Sequence, residues 1–301
     1  MISPEEEPSP SVTRVCAPPD RNPRPPRLAL PPLSCDCHAH IFGPAGTHPY
    51  IPDRAYTPPD ALLPDYLSVL ATLGVERSVL VQPSVYGNDN SVLLDALARS
   101  PVRSRGVVSL DDSVSDYRLR SLDAEGVRGV RYNLVDGRDP GGELPLERLR
   151  WMSRRVRTLG WHVELLLHVD DYPDLDRLFR AFPGDLVLAH MGFPRRGYGL
   201  EDAGVQELLR LLDRGNTWVK LTAPYRLSTA ELPYEDLLPL VQLLVAHAPE
   251  RLLWGSDWPH VCQEDAMPND GDLCDLLLRW LPDPALRERV LADNPNRLYR
   301  F

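Results

Sequence analysis

No stretch of the 301-residue sequence approaches the roughly 18 uninterrupted apolar residues of a membrane-spanning helix, so no membrane partner is expected. The opening residues, MISPEEEPSPSV, lack the basic region and apolar run of a secretory signal, and a cytoplasmic protein is expected. Positive charge is in deficit. Thirty-three Lys and Arg stand against 43 Asp and Glu, a formal net charge of −10 that repels a phosphate backbone and argues against a nucleic-acid partner. Cysteine is scarce and odd in number: Cys16, Cys35, Cys37, Cys262 and Cys274. In a chain of this size that excludes a disulfide framework, and Cys35-X-Cys37 is not the Cys-X-X-Cys spacing, so buried or neutral thiols are expected. No Gly-X-Ser-X-Gly surrounds Ser84, which leaves that serine a hydrogen-bonding rather than a nucleophilic role.

What is present suits a globular chain with a sizeable core. The hydrophobic share is 43% and the charged share 25%, both in the globular range. Ten prolines fall between Pro4 and Pro32, among acids and then arginines. Residues 1–32 are therefore expected to form a disordered or loosely draped proline-rich tail, because such a segment buries too little apolar surface to offset its chain entropy. Residues 33–301 are expected to form the catalytic domain.

In that domain short apolar runs alternate with amphipathic segments. Strands are predicted at Ser34–His40, Arg77–Ser84, Ser104–Leu110, Val127–Leu134, His162–His168, Leu186–Gly192, Thr217–Ala223 and Leu252–Trp258. Helices are predicted at Asp60–Leu73, Ser91–Arg99, Leu146–Leu159, Asp174–Ala181, Asp202–Asp213 and Tyr234–Ala246. The runs are apolar on both faces, as parallel strands covered by helices must be. Eight such units predict an α/β fold, a (β/α)8 TIM barrel, and about 250 residues suffice for one. An open doubly wound sheet would carry a Gly-rich phosphate loop after its first strand, and this first strand ends in His-Ala-His instead. Pro284–Tyr299 reads as a helix followed by an Asn-Pro-Asn turn that closes the bottom or side of the barrel.

Barrel active sites lie at the C-terminal strand ends. There the sequence presents His38 and His40, Gln82 and Ser84, Arg131 and Asn133, His168, His190, Tyr225 and Arg226, and Asp257 with His260. His38 and His40, two apart on a strand, point to one face and converge as a metal site or a carbonyl clamp requires. The bland alternative is one buried and one loop histidine. Asp257 follows an apolar strand, where a carboxylate is costly to bury unpaired; a helix cap or a buried salt bridge would also explain it. His190 raises the same choice. Arg131 suits bidentate recognition of a carboxylate, or a structural pair with an acid, and Arg226 is similar. Three strand ends offering His, His and Asp to one pocket favour a site.

The segments Asp-Cys-His-Ala-His-Ile-Phe-Gly-Pro, Ala-Tyr-Thr-Pro, Val-Gln-Pro-Ser, Gly-Val-Arg-Tyr-Asn, His-Met-Gly, Arg-Leu-Ser, Trp-Gly-Ser-Asp-Trp-Pro-His and Asn-Pro-Asn-Arg-Leu-Tyr are strung along the chain from Ser34 onward. Together they resemble the amidohydrolase-2 group of TIM-barrel hydrolases, and within it the 2-pyrone-4,6-dicarboxylate lactonases. The resemblance implies hydrolysis of a lactone or related cyclic ester. It implies Asp257 as the base that activates water, His38, His40 and His190 around the carbonyl, and Tyr56, Ser84, Arg131 and Arg226 on the substrate, with His260 beside them. Leu166 stands where those lactonases have a tyrosine, and Phe193 where they have an arginine. A second carboxylate-binding group is thus expected to be missing, and a less charged lactone to fit.

The wider superfamily binds metal through strand-one and strand-five histidines, so the resemblance also implies a candidate zinc site of His38, His40, His168 and Asp257. The pyrone lactonases themselves resemble a metal-independent design, which leaves one Zn2+ or none. Two other readings stand beside the lactonase: a metal-dependent decarboxylase of the same superfamily, and a non-catalytic binding barrel. The sequence does not set the oligomeric state.

Overall fold

The structure, a computed structural model, describes residues 13–136, 143–263 and 266–301. Eight parallel strands form one sheet in sequence order: β1 Cys35–Ala39, β2 Arg77–Val81, β3 Arg103–Val108, β4 Val127–Asn133, β5 His162–Leu166, β6 Leu186–Leu188, β7 Thr217–Leu221 and β8 Leu252–Trp254. All eight runs predicted from the sequence are strands, and they are shorter at their C-terminal ends. The polar residues read as strand ends lie in turns past the ladder: Ser84 opens a 3-10 turn and His190 another. Every residue of β1, β2, β5 and β7 is buried, as strands packed on both faces require.

The sheet closes between β1 and β8 just past the regular ladder. The Asp257 N–H donates to His38 O at 2.8 Å, and the His40 N–H donates to Trp258 O at 2.8 Å. The seam therefore sets the Asp257 backbone against the two strand-one histidines. The β1 register shifts between Asp36 and Ala39, and such an irregularity re-aims side chains. Cys35 and Cys37 join the apolar barrel interior with Val79, Val81, Val107, Val187 and Leu253, and His38 faces inward above them.

The helices follow their sequence patterns with instructive exceptions. Ser91–Arg99 has the predicted bounds, and the first predicted helix begins three residues late at Leu63 and ends at Leu73 before Gly74 (φ 76°). An unpredicted helix spans Asp116–Ala124. Ser115 caps it by accepting from the Arg118 N–H, but it buries only Leu119 and Leu122, too few to show a stripe. The segment predicted as Asp174–Ala181 is helical only over Leu175–Leu178. The Asn-Pro-Asn segment does not turn; it opens the final helix, Asn294–Tyr299. Tyr299 plugs the bottom of the barrel, its ring 5.3 Å from that of His162 at the start of β5.

Residues 13–32 depart from the expected tail. Arg14–Val15 forms a two-residue parallel strand with Tyr56–Thr57, and Cys16 and Leu28 are buried. Asn269 latches the segment: its Oδ1 accepts from the Arg24 N–H at 2.9 Å, and its Nδ2 donates to Asp20 at 2.7 Å and to Asn22 O at 3.1 Å. Polar partners on the barrel thus replace the core that this segment cannot build for itself. Residues 1–12, the rest of that expectation, lie outside the described residues. All five cysteines are free thiols. Among the described residues no helix is long and apolar enough to cross a membrane.

Candidate active site

Asp257 holds the centre of the cluster. Its φ of 63° is a left-handed conformation that costs a non-glycine residue on the order of 1–3 kcal/mol. The seam bond to His38 O and the turn bond from the His260 N–H to Asp257 O, 2.9 Å, hold it there. Its Oδ1 lies 3.5 Å from His38 Nε2, 3.8 Å from His40 Nε2 and 3.9 Å from His190 Nε2. The expected catalytic set Asp257, His38, His40 and His190 is therefore one cluster. All four side chains are buried.

The three imidazoles are held neutral. Burial pushes each well below the ordinary histidine range. Lys220 adds most to this at His38, Arg131 at His40 and Arg226 at His190. Their second nitrogens have different partners. His40 Nδ1 lies 2.7 Å from Val81 O, which only accepts, so Nδ1 carries the proton and Nε2 is bare. His190 Nδ1 meets the Thr222 hydroxyl at 2.7 Å. His38 Nδ1 faces the Lys220 ammonium at 3.1 Å, and Lys220 pairs with Glu164 at 2.5 Å.

A second network backs the other oxygen of Asp257. The Tyr225 hydroxyl donates to Asp257 Oδ2 at 2.6 Å. With its proton so engaged, Tyr225 accepts from His260 Nδ1 at 3.2 Å, and His260 Nε2 reaches Asp270 at 3.1 Å. Burial alone would lower the His260 pKa, but the charges of Asp270, Asp257 and Asp36 raise it above the ordinary value. His260, expected on the substrate, stands here behind Tyr225, one side chain back from Asp257 Oδ2. Its ring is fully buried behind Tyr225, with both nitrogens engaged.

His168 also departs from expectation. The strand stops at Leu166, and His168 lies beyond it, with Nδ1 2.8 Å from Phe193 O and its ring stacked on Phe193 at 4.4 Å. It stands outside the metal-sized group. That group is His38, His40 and Asp257, whose ligand atoms lie within 4.8 Å of one another, close enough by spacing alone to hold a metal ion.

The expected substrate residues line two cavities beside the cluster. Ser84 and Arg131 line one of about 370 Å³, and Tyr56 and Arg226 line one of about 340 Å³. Arg131 donates to Gln82 O at 2.9 Å, and its buried Nε has no partner among the described residues. Ser84 donates to Asp136, which lines the second cavity. Phe193 fills the space between His190 and Arg226, its ring 5.6 Å from the imidazole and 5.7 Å from the guanidinium carbon. Arg14, from the strap of residues 13–32, and Arg196 line this cavity with Arg226, Phe193 and Asp136.

Sequence reasoning missed Tyr225 as a partner of Asp257, and missed Lys220, Glu164 and Asp270. One signal was available. Lys220 is the only lysine in the chain, and it interrupts the apolar run Thr-Trp-Val-Lys-Leu.

Comparison with known proteins gives the family and the fold. Residues 35–301 match the Amidohydrolase family. The chain is 38% identical to a 4-sulfomuconolactone hydrolase of Rhizobium radiobacter, over 94% of this chain and 96% of that protein. It is 36% identical to a 2-pyrone-4,6-dicarboxylate hydrolase of Comamonas testosteroni, over 92% and 93%. An apo crystal structure from Agrobacterium tumefaciens superposes with a TM-score of 0.81 at 30% identity, over 92% of this chain and 98% of that one.

Proposed function

The chain belongs to the amidohydrolase family, and from that premise we propose that it is a hydrolase that opens an anionic lactone by attack of water. The observation that carries the reading is Asp257 Oδ1, within 3.5–3.9 Å of three imidazole Nε2 atoms and beside an arginine-lined cavity. The relatives named for sulfomuconolactone and pyrone dicarboxylate support the substrate class. Arg14, Arg196 and Arg226 favour a substrate with a carboxylate or sulfonate over the less charged lactone that Phe193 suggested.

The partners divide the work. Asp257 Oδ1 and the bare Nε2 of His40 are both acceptors, 3.8 Å apart, and one water donates to both. Tyr225 occupies Oδ2 and leaves Oδ1 as the base. Asp257 takes one proton from the water as its oxygen bonds to the acyl carbon. The carbonyl electron pair moves to oxygen, where the Nε2–H of His38 stabilises it as a hydrogen-bond donor. Collapse breaks the bond from the acyl carbon to the ring oxygen, and Asp257 returns its proton to that leaving oxygen. Arg131 and Arg226 hold the anionic groups.

The spacing of His38, His40 and Asp257 suits a zinc ion, but the proton count does not. His40 is bare at Nε2, whereas His38 meets a donor at Nδ1 and keeps its proton on Nε2. The reading therefore runs no step through a metal. Purified protein offered lactones with no, one and two anionic groups should open the anionic ones fastest, read as proton release. Failure to open any of them removes the proposal.

A further inference from the structure

Lys220 has no direct part in the chemistry above, yet it is placed where it decides that chemistry. It sits on β7, wholly buried, and its ammonium lies 2.5 Å from Glu164 Oε2 and 3.1 Å from His38 Nδ1. An ammonium has protons to give and no lone pair to receive one. Toward His38 it can only donate, so His38 Nδ1 must be the bare nitrogen. The single proton of the neutral ring then sits on Nε2, which points at Asp257 Oδ1 from 3.5 Å. His38 Nε2 has no hydrogen-bond partner among the described residues, so its proton is available to an oxygen entering the site.

We infer that Lys220 is a positioning residue that fixes His38 in the Nε2–H tautomer, making it a donor to the substrate oxygen and withholding it from a metal ion. His40, two residues on, holds the opposite tautomer because its Nδ1 faces the Val81 carbonyl. The His-X-His pair is thus one donor and one acceptor, two tools rather than a symmetric clamp.

Glu164 keeps the alternative close. Its Oε1 lies 3.5 Å from the same His38 Nδ1 and has no hydrogen-bond partner among the described residues. Without the ammonium, that carboxylate oxygen is the waiting acceptor for an Nδ1 proton. A histidine that donates Nδ1–H to a carboxylate presents a bare Nε2, which is how metal-binding histidines are commonly held. His38, His40 and Asp257 would then offer a metal ion three free ligand atoms. One side chain separates a proton-donating site from a metal-binding one.

The test reads the resting protein, so it is independent of which lactone is opened. Two-bond proton–nitrogen correlation spectra of histidine-labelled protein report the tautomer of each ring, with His38→Gln assigning the signal. Wild type is expected to show a bare Nδ1 and a protonated Nε2 at His38. Lys220→Arg, which also only donates, should keep that pattern, and so should Glu164→Gln, which leaves the ammonium in place. Lys220→Met should reverse it and bind added zinc on the order of 10–100-fold tighter than wild type. A wild-type His38 protonated on Nδ1 overturns the inference even if Lys220→Met does not fold. So does a folded Lys220→Met with an unchanged tautomer and unchanged zinc affinity.

Discussion

Two buried histidines on either side of Asp257 carry opposite charge tendencies. His38 and His260 are both fully buried, each in a short polar chain. Behind His38 stands a cation, Lys220, and burial with that cation holds the ring well below the ordinary histidine pKa. Behind His260 stands a carboxylate, Asp270, and that charge together with Asp257 and Asp36 raises the ring despite the same burial. Burial alone therefore does not decide the state of a histidine; the nearest formal charge does. One ring is biased toward its neutral form and the other toward its charged form, beside Tyr225.

The sharpest break in the comparison is at Asp257, which both chains serve. Asp257→Asn keeps the shape and removes the proton acceptor. It should lower kcat on the order of 10³-fold or more, with the fold intact by circular dichroism. A variant with near-wild-type turnover would show that neither chain serves a base.

Acid titration tests the two states together. His38, His40 and His190 are held well below 6.5 and His162 at about 3, so the native state resists their protonation. Their contribution to stability is present above 6.5 and is lost as the unfolded chain takes up protons below it. His260 and Asp36 oppose this. Their folded pKa values are raised, Asp36 to about 6, so they favour the native state toward acid. Below 6.5 His260 is protonated in the folded and the unfolded chain alike and drops out, so four histidines stand against Asp36 alone, each group contributing up to about 1.4 kcal/mol per pH unit. Unfolding free energy should therefore fall by roughly 3–4 kcal/mol per unit below pH 6, as read by urea titration. A stability that holds or rises toward pH 5 would mean that the site histidines are already charged at neutrality.

Much of this was legible beforehand. All eight strands were, because a strand packed on both faces shows as a plain apolar run. The meeting of His38, His40, His190 and Asp257 was too, because each follows a strand-like run toward one end of the barrel. His168 was read alongside His190 because the two look alike in sequence, and both lie two residues past their strands. The difference is in the backbone: His190 turns at φ 51°, whereas His168 stays extended at φ −88°. The two polar chains were not legible. Glu164, Lys220 and His38 come from three strands, and no local pattern says that they meet across a barrel. The packing of residues 13–32 was not legible either, because composition reports what a segment can bury by itself, not what Asn269 offers it.

A gentler break is Tyr225→Phe, which removes the proton donated to Asp257 Oδ2 and leaves Asp257 Oδ1 in place. A hydrogen bond to a charged group contributes roughly 1.5–3 kcal/mol. Its loss should lower kcat roughly 10- to 100-fold, with the fold intact by circular dichroism. A kcat within twofold of wild type would leave Tyr225 a packing role.

The smallest effect is expected where the strap meets the second chain. Asn269 caps the helix Asp270–Asp275 by accepting from the Gly271 N–H at 3.1 Å, and the same oxygen accepts from Arg24 of the strap. The next residue, Asp270, is the carboxylate that holds His260. Asn269→Ala therefore removes a helix cap and the latch of the strap together, at about 1 kcal/mol for the cap and somewhat more with the strap bonds. The melting temperature should fall by a few degrees, while the His38 tautomer stays as in wild type, because Lys220 and Glu164 lie on strands that Asn269 does not touch. If the same substitution altered His38, the two chains would be one network, and their opposite charge states would need a common cause.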